Sequence, residues 1–275
     1  MWLKMTDIVI LLGIFFIYFS YKYAWWLPEV DNKHPRILMY HQIAEPIKNA
    51  KFNGLRVTPD AFEQQLKWLH NNGWNFVTMN ELLENRDRIQ PKTVAITFDD
   101  GYENNYKLAF PLLKKYHAKA TIYVVIDRHD NDWSTKKKSH HNSGELVKDK
   151  KLSDEQIVEM IQSGSIEIAS HTLSHANLSQ LDIANKTLEI GSSKKQLEDQ
   201  FNISISSFAY PFGIYDKNDV EIAQNCEYQS AVTTENGINT DFKSPLELKR
   251  IKISGKDRFF VFKLKMKLGK KGVIK

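Results

Sequence analysis

Cysteine is almost missing from this chain. Cys226 stands alone among 275 residues, so no disulfide can close within the chain, and a fold stapled by disulfides is excluded. Its neighbours Ile222, Ala223 and Val232 suggest a core position, the usual place of a free thiol. Internal repeats are absent. The net charge is +5, yet no nucleic-acid-binding motif accompanies it, so nucleic acid is not the expected partner. Histidine is missing after His175. A hydrophobic content of 42% is that of a globular protein and excludes a disordered one. The length allows one domain of ordinary size with a full core.

The N-terminus has what the rest lacks, a long hydrophobic run. Ile8 to Phe19 is interrupted only by Gly13, and Tyr21, Tyr23, Trp25, Trp26 and Leu27 extend it. Counted to Leu27, the run reaches the ~20 residues that cross a bilayer as a helix. The Tyr and Trp residues at its far end match an interfacial belt, and Lys22 is close enough to that end to snorkel. A cleavable signal peptide is the competing reading, but no small-x-small cleavage site follows the run. The expectation is an uncleaved single-pass anchor over residues 1–28. Lys4 and the free amine argue for an inside N-terminus, with the following domain extracellular at the cell membrane.

A polar linker over 29–35 follows, then a domain over 36–260 and a basic tail over 261–275. The tail carries Lys263, Lys265, Lys267, Lys270, Lys271 and Lys275. Anionic wall polymers or lipid headgroups could meet it, but a solvated, frayed terminus is the simplest expectation. Within the domain, apolar runs at Arg36–Tyr40, Asn75–Thr78, Thr93–Phe98, Ala120–Ile126, Ile166–Ser170, Ser207–Tyr210, Tyr228–Val232 and Leu248–Ile253 read as strands. Helices are expected at Asp60–Asn72, Met79–Leu83, Glu103–Tyr116 (broken near Pro111), Ser153–Gln162, Asp182–Gln200 and Lys217–Ala223. Residues 127–151 are polar and without periodicity. Alternating strands and helices argue for an α/β fold with a mostly parallel sheet, open or closed.

Two strings carry chemistry. Thr97-Phe98-Asp99-Asp100-Gly101 follows one strand, and Ser170-His171-Thr172-Leu173-Ser174-His175 follows another. Alone, the first is most often a turn, and the second a solvated helix face. Together they place two carboxylates and two imidazoles at strand ends, where α/β folds build sites. One carboxylate with two histidines makes a three-ligand set with a position left for water. The other carboxylate is then free to act as a base.

These strings, with Ala209-Tyr210-Pro211-Phe212-Gly213, resemble the first three motifs of the NodB-type polysaccharide deacetylases. The likeness runs from about Arg36 to about Ser254. It implies a distorted (β/α) barrel that removes acetyl groups from N-acetylated sugars with a bound metal. By this resemblance Asp100, His171 and His175 hold the metal and Asp99 is the base. The loop of Tyr210, Pro211, Phe212 and Gly213 faces substrate, and the Phe212 N–H helps stabilise the oxyanion. Zn²⁺ suits such a ligand set, and Co²⁺, Ni²⁺ or Fe²⁺ can also be held.

The chain departs from the commonest pattern twice. The late histidine that protonates the leaving amine is missing, and His41, in Leu38-Met39-Tyr40-His41-Gln42, is the candidate instead. That order is similar to the poly-N-acetylglucosamine deacetylases of biofilm adhesin. No arginine precedes Pro211, so Arg250 is the candidate for orienting Asp99. Expected substrates are therefore a surface poly-N-acetylglucosamine or, alternatively, peptidoglycan. An O-acetyl esterase and a non-catalytic sugar-binding module are the other readings, though intact ligands and base argue against the last. His129, His140 and His141, near Lys136, Lys137 and Lys138, read as a solvated loop before a second metal site. Trp133, Phe212 and Tyr215 are candidate sugar-stacking rings. Oligomeric state is not legible.

Overall fold

The computed structural model describes residues 5–131, 133 and 144–272. Seven parallel strands close a barrel: β1 (Arg36–Tyr40), β5 (Thr93–Phe98), β6 (Ala120–Val124), β7 (Ile166–Ser170), β8 (Ser207–Ala209), β9 (Ser230–Asn236) and β10 (Leu248–Lys252). The ring closes where β1 pairs with β5, from Arg36 opposite Val94 to Tyr40 opposite Phe98. Three short strands complete the set: β2 (Gln42–Ile43), β3 (Arg56–Val57) and β4 (Asn75–Val77). The first two pair with each other outside the ring.

The barrel is distorted at β5. Strand β4 pairs with its first half, Asn75 opposite Thr93, whereas β6 pairs with its second half, Ile96 opposite Ala120. Helix α3 (Met79–Glu84) sits at this fork. The Met79 N–H donates to Thr121 Oγ1, and the Asn80 N–H donates to the Glu167 carboxylate. Its apolar face, Met79, Leu82 and Leu83, packs with the inward residues Ile37, Ala95, Tyr123, Ala169, Ala209, Val232 and Leu248. Side chains alternate along each strand, so Leu38, Tyr40, Ile96 and Phe98 point outward into a larger core beneath the helices. Alanine at Ala95, Ala169 and Ala209 leaves the interior room for Tyr123 and Arg250, both fully buried.

The helices follow local rules. In α2 (Pro59–Asn71), Thr58 caps the first turn, Pro59 takes a first-turn position, and Phe62, Leu66 and Leu69 are buried. In α5 (Asp154–Gln162), Ser153 and Gln156 form a capping box. The helix after the first motif breaks just ahead of Pro111, where a π turn over Asn105–Ala109 leads into α4 (Phe110–Lys115). Proline offers no N–H to the preceding turn, which widens to compensate. The expected long helix at 182–200 is likewise two pieces, α6 (Ile183–Thr187) and α7 (Ser193–Phe201), joined by a π turn. Cys226 caps α8 (Lys217–Asn225) and is only half-buried at the edge of the core, a shallower position than its neighbours suggested.

The basic segment after residue 260 is not a frayed tail. It forms α9 (Phe259–Leu268), with Val261, Phe262, Leu264 and Met266 buried. Phe262 meets Trp68 edge-on, and Arg36 Nε donates to the Met266 carbonyl. Apolar residues interleaved with the lysines supply a packing face, and the charge count concealed it. The linker is fastened too, since the Val30 N–H donates to Lys267 O. At the N-terminus, α1 (Met5–Tyr23) has no buried residue and is long and apolar enough to span a membrane.

Candidate active site

The catalytic candidates meet at the carboxyl end of the barrel. Strand β5 ends in Asp99 and Asp100, and the Asp99 N–H donates to Tyr40 O on the adjacent strand. Strand β7 ends ahead of His171, whose N–H donates to Val124 O. The loop after β8 delivers Phe212. Several of these residues sit in the left-handed region without being glycine: Asp100 at φ 75°, Thr172 at 67°, His175 at 55° and Phe212 at 59°. Such backbone costs of order 1–3 kcal/mol per residue and gathers at functional sites. Gly213 is required for another reason, because a Cβ there would lie 2.0 Å from Thr234 Oγ1.

Asp100, His171 and His175 present ligand atoms that all lie within 4.8 Å of one another. Asp100 Oδ1 is 3.4 Å from His171 Nε2 and 3.3 Å from His175 Nε2. A tetrahedral ion with bonds of about 2.0–2.1 Å separates its ligands by about 3.4 Å. Asp100 Oδ1 is buried with no hydrogen-bond partner, an orphan that a cation would satisfy. His171 Nδ1 lies 2.7 Å from Ala209 O. That contact assigns the proton to Nδ1 and leaves the Nε2 lone pair facing the cluster. Burial pushes His175 down to about 4, which keeps it neutral as a ligand must be. The residues present therefore fit a divalent metal.

Asp99 lies beside this set and is gripped by Arg250. Nη1 donates to Oδ1 at 2.6 Å and Nη2 to Oδ2 at 2.7 Å. Arg250 is itself fixed, with Nε donating to Thr233 O and Nη1 to Thr97 Oγ1. Burial would raise the Asp99 pKa, but the guanidinium's charge and two bonds bring it below the ordinary value. His41 lines the same cleft, of about 320 Å³. Burial lowers its pKa, opposed by the charges of Asp100 and Asp99.

The third motif contributes less side-chain surface than expected. Phe212 lines the cleft and meets the His175 ring edge-on, with centroids 4.5 Å apart. Tyr210 instead points into the outer core, where it donates to Leu246 O and stacks on Tyr215. Pro211 is buried, and Tyr215 donates to Glu247 away from the cleft. Trp133 stacks on His175 with centroids 4.9 Å apart and forms a wall of the site. Phe52, Leu55, Leu146, Thr234 and Lys252 also line it. No motif marks these five, because they come from loops and strand ends with no shared spacing. His129 is exposed, and His140, His141 and Lys136–Lys138 lie outside the described residues. Among the described residues there is one three-ligand cluster.

A closed parallel barrel with a buried Asp-His-His set and an arginine-held aspartate at its rim defines a hydrolase of the carbohydrate deacetylase class. The polysaccharide deacetylase family profile matches residues 86–231. The chain is 36% identical to YxkH of Bacillus subtilis over 234 residues, covering 84% of this chain and 75% of that one. It therefore belongs to the polysaccharide deacetylase family and is a polysaccharide deacetylase. It is also 27% identical to the poly-β-1,6-N-acetyl-D-glucosamine N-deacetylase of Staphylococcus aureus, over 72% of this chain and 68% of that one. Among solved structures it is similar to the Streptococcus pyogenes deacetylase PplD, determined with acetate. The TM-score is 0.68 at 31% identity, covering 83% of this chain and 94% of that one.

Proposed function

We propose that this protein is a membrane-anchored, metal-dependent N-deacetylase of a cell-surface poly-N-acetylglucosamine. The observation that carries the reading is the meeting, in one cleft, of the Asp100-His171-His175 set, the Asp99–Arg250 pair and His41. A divalent ion held there, with Zn²⁺ the best match to the ligands, would acidify water and stabilise developing negative charge on the acetyl oxygen. Asp99, kept ionised by Arg250, takes the proton from the attacking water. The Phe212 N–H supports the oxyanion. His41 gives a proton to the departing amine, which is too basic to leave without one. Trp133 and Phe212 bound the space for the sugar.

The S. aureus relative, named for this polymer, and the motif order that replaces a late histidine by His41 support the substrate. The apolar, unburied α1 supports the anchor, with the domain outside the cell. The test is metal content of the purified protein together with acetate release from three substrates. These are β-1,6-linked N-acetylglucosamine oligomers, peptidoglycan fragments and an O-acetylated sugar. Release from the first, abolished by chelation and restored by Zn²⁺, is expected. Preference for peptidoglycan or for the ester would replace the substrate while keeping the site. N-terminal sequencing of the membrane fraction distinguishes an anchor from a cleaved leader.

A further inference from the structure

Helix α9 and the end of α1 form one continuous surface. Phe260 stacks on Phe19 with centroids 6.1 Å apart and meets Tyr23 at 5.8 Å. Lys267 Nζ donates to Trp25 O at 2.9 Å. Gly272 passes so near α1 that a Cβ would lie 2.0 Å from Lys22 O. The two segments thus touch near both ends of α9 and again just beyond it.

The outer side of this surface has two kinds of group. One is aromatic: Phe260 is 43% exposed, Trp25 41% and Trp26 58%. The other is cationic: Lys22, Lys263, Lys270 and Lys271 are exposed, and none is ion-paired to a described residue. Of the neighbouring carboxylates, Asp257 pairs with Lys265 and Asp31 with Lys33, while Glu29 is exposed. Within the α1–α9 contact, Lys271 and Lys22 lie over the Tyr23 ring at 5.8 and 5.6 Å. At the boundary of an anionic bilayer the rings enter the headgroup layer and the lysines meet phosphate.

We infer that α9 is a membrane-surface helix, docking beside α1 on anionic phospholipid headgroups through Lys22, Lys263, Lys270 and Lys271 with Phe260 as its wedge. This rests on the reading of α1 as a membrane anchor. Docking would hold the barrel in a fixed pose at the bilayer instead of leaving it to swing on a linker.

The test uses the full chain in vesicles of phosphatidylcholine alone or with about one third phosphatidylglycerol. A water-soluble amine-acylating reagent reports each lysine by mass spectrometry, with the exposed Lys195 and Lys217 as controls. Lys263, Lys270 and Lys271 should react roughly fivefold more slowly on the anionic vesicles, the gain of a lysine near such a surface. High salt should abolish the difference, and the controls should not change. Equal rates on both vesicles overturn the docking, even where α1 resists an alkaline carbonate wash. If the wash strips the protein, the anchor reading fails; salt-sensitive protection that persists without insertion would still support the surface, and its absence would end both.

Discussion

Arg250 and Asp99, 151 residues apart, form a bidentate ion pair inside the barrel rim at 2.6 and 2.7 Å. Arg250, the candidate for the arginine that the third motif lacks, thus touches the aspartate it was expected to orient. Arg250 is delivered from β10, whose neighbour β1 carries His41 just beyond its end. The two candidates named for the departures from the common motif pattern therefore lie at one sector of the rim.

The pair sets a pH dependence. Asp99 has a folded pKa below its ordinary value, so it is ionised through the neutral range and its contribution to stability is lost only as pH falls through that lowered value. Arg250→Gln removes the charge but not the burial. The Asp99 pKa should then rise, by about 1–3 units for loss of a close cation. The acid limb of the kcat/KM profile should move to higher pH by a similar amount, with Arg250→Lys between the two. An acid limb that stays in place in Arg250→Gln would assign that limb to another group.

Within the adjacent aspartates the roles separate by metal content. Asp99→Asn keeps the size of the side chain but cannot take a proton. It should retain the ion and lose about 10²–10⁴-fold in turnover. His171→Ala and His175→Ala should lose the ion itself, read by elemental analysis after dialysis. Asp99→Asn that turns over normally with metal bound would reverse the assignment of the pair.

Much of this was legible in the sequence because strand ends announce themselves. Apolar runs of five or six residues stop at Asp99 and His171, and a parallel barrel brings such stops to one rim. Arg250 could be named as a candidate because no arginine precedes Pro211 and Arg250 stands at the start of a late strand. Tyr210 misled because its motif marks a backbone path, and the ring was free to turn into the outer core. Trp133 could be noticed as an aromatic in a polar stretch, but its stacking on His175 depends on a chain path that periodicity does not encode. Helix α9 was hidden by its lysines, since charge counting does not register the apolar residues between them.

Glu167 gives a prediction away from the chemistry. Its carboxylate accepts from Thr121 Oγ1 and the Asn80 N–H at the α3 fork, and desolvation raises its pKa. A raised carboxyl pKa means that the folded state binds the proton more tightly than the unfolded one. The group thus stabilises the fold below the ordinary glutamate pKa, and that contribution disappears as pH rises through the raised value. Glu167→Gln keeps an acceptor there without the charge. Its melting temperature relative to the parent should climb between about pH 4 and pH 7. A flat difference across that range would mean that the charged form is fully compensated by its hydrogen bonds.

His41 decides whether the proton donor has been found. As the donor, it should leave metal binding intact when replaced by alanine, while acetate release from an amide falls by about 10²–10⁴-fold. An activated aryl acetate ester has a leaving group that needs no proton, so the same variant should lose much less on it. Burial holds the His41 pKa below the ordinary histidine value. The protonated form is therefore scarce at neutral pH, and amide turnover should decline as pH rises through that lowered pKa, a limb absent from His41→Ala. A purely structural histidine would behave differently, lowering the melting temperature and cutting amide and ester turnover by a common factor. Both substrates, the pH profile and thermal stability measured on the one variant separate the two cases. An equal loss on amide and ester with a lowered melting temperature would leave the amine's proton to come from another group in the cleft.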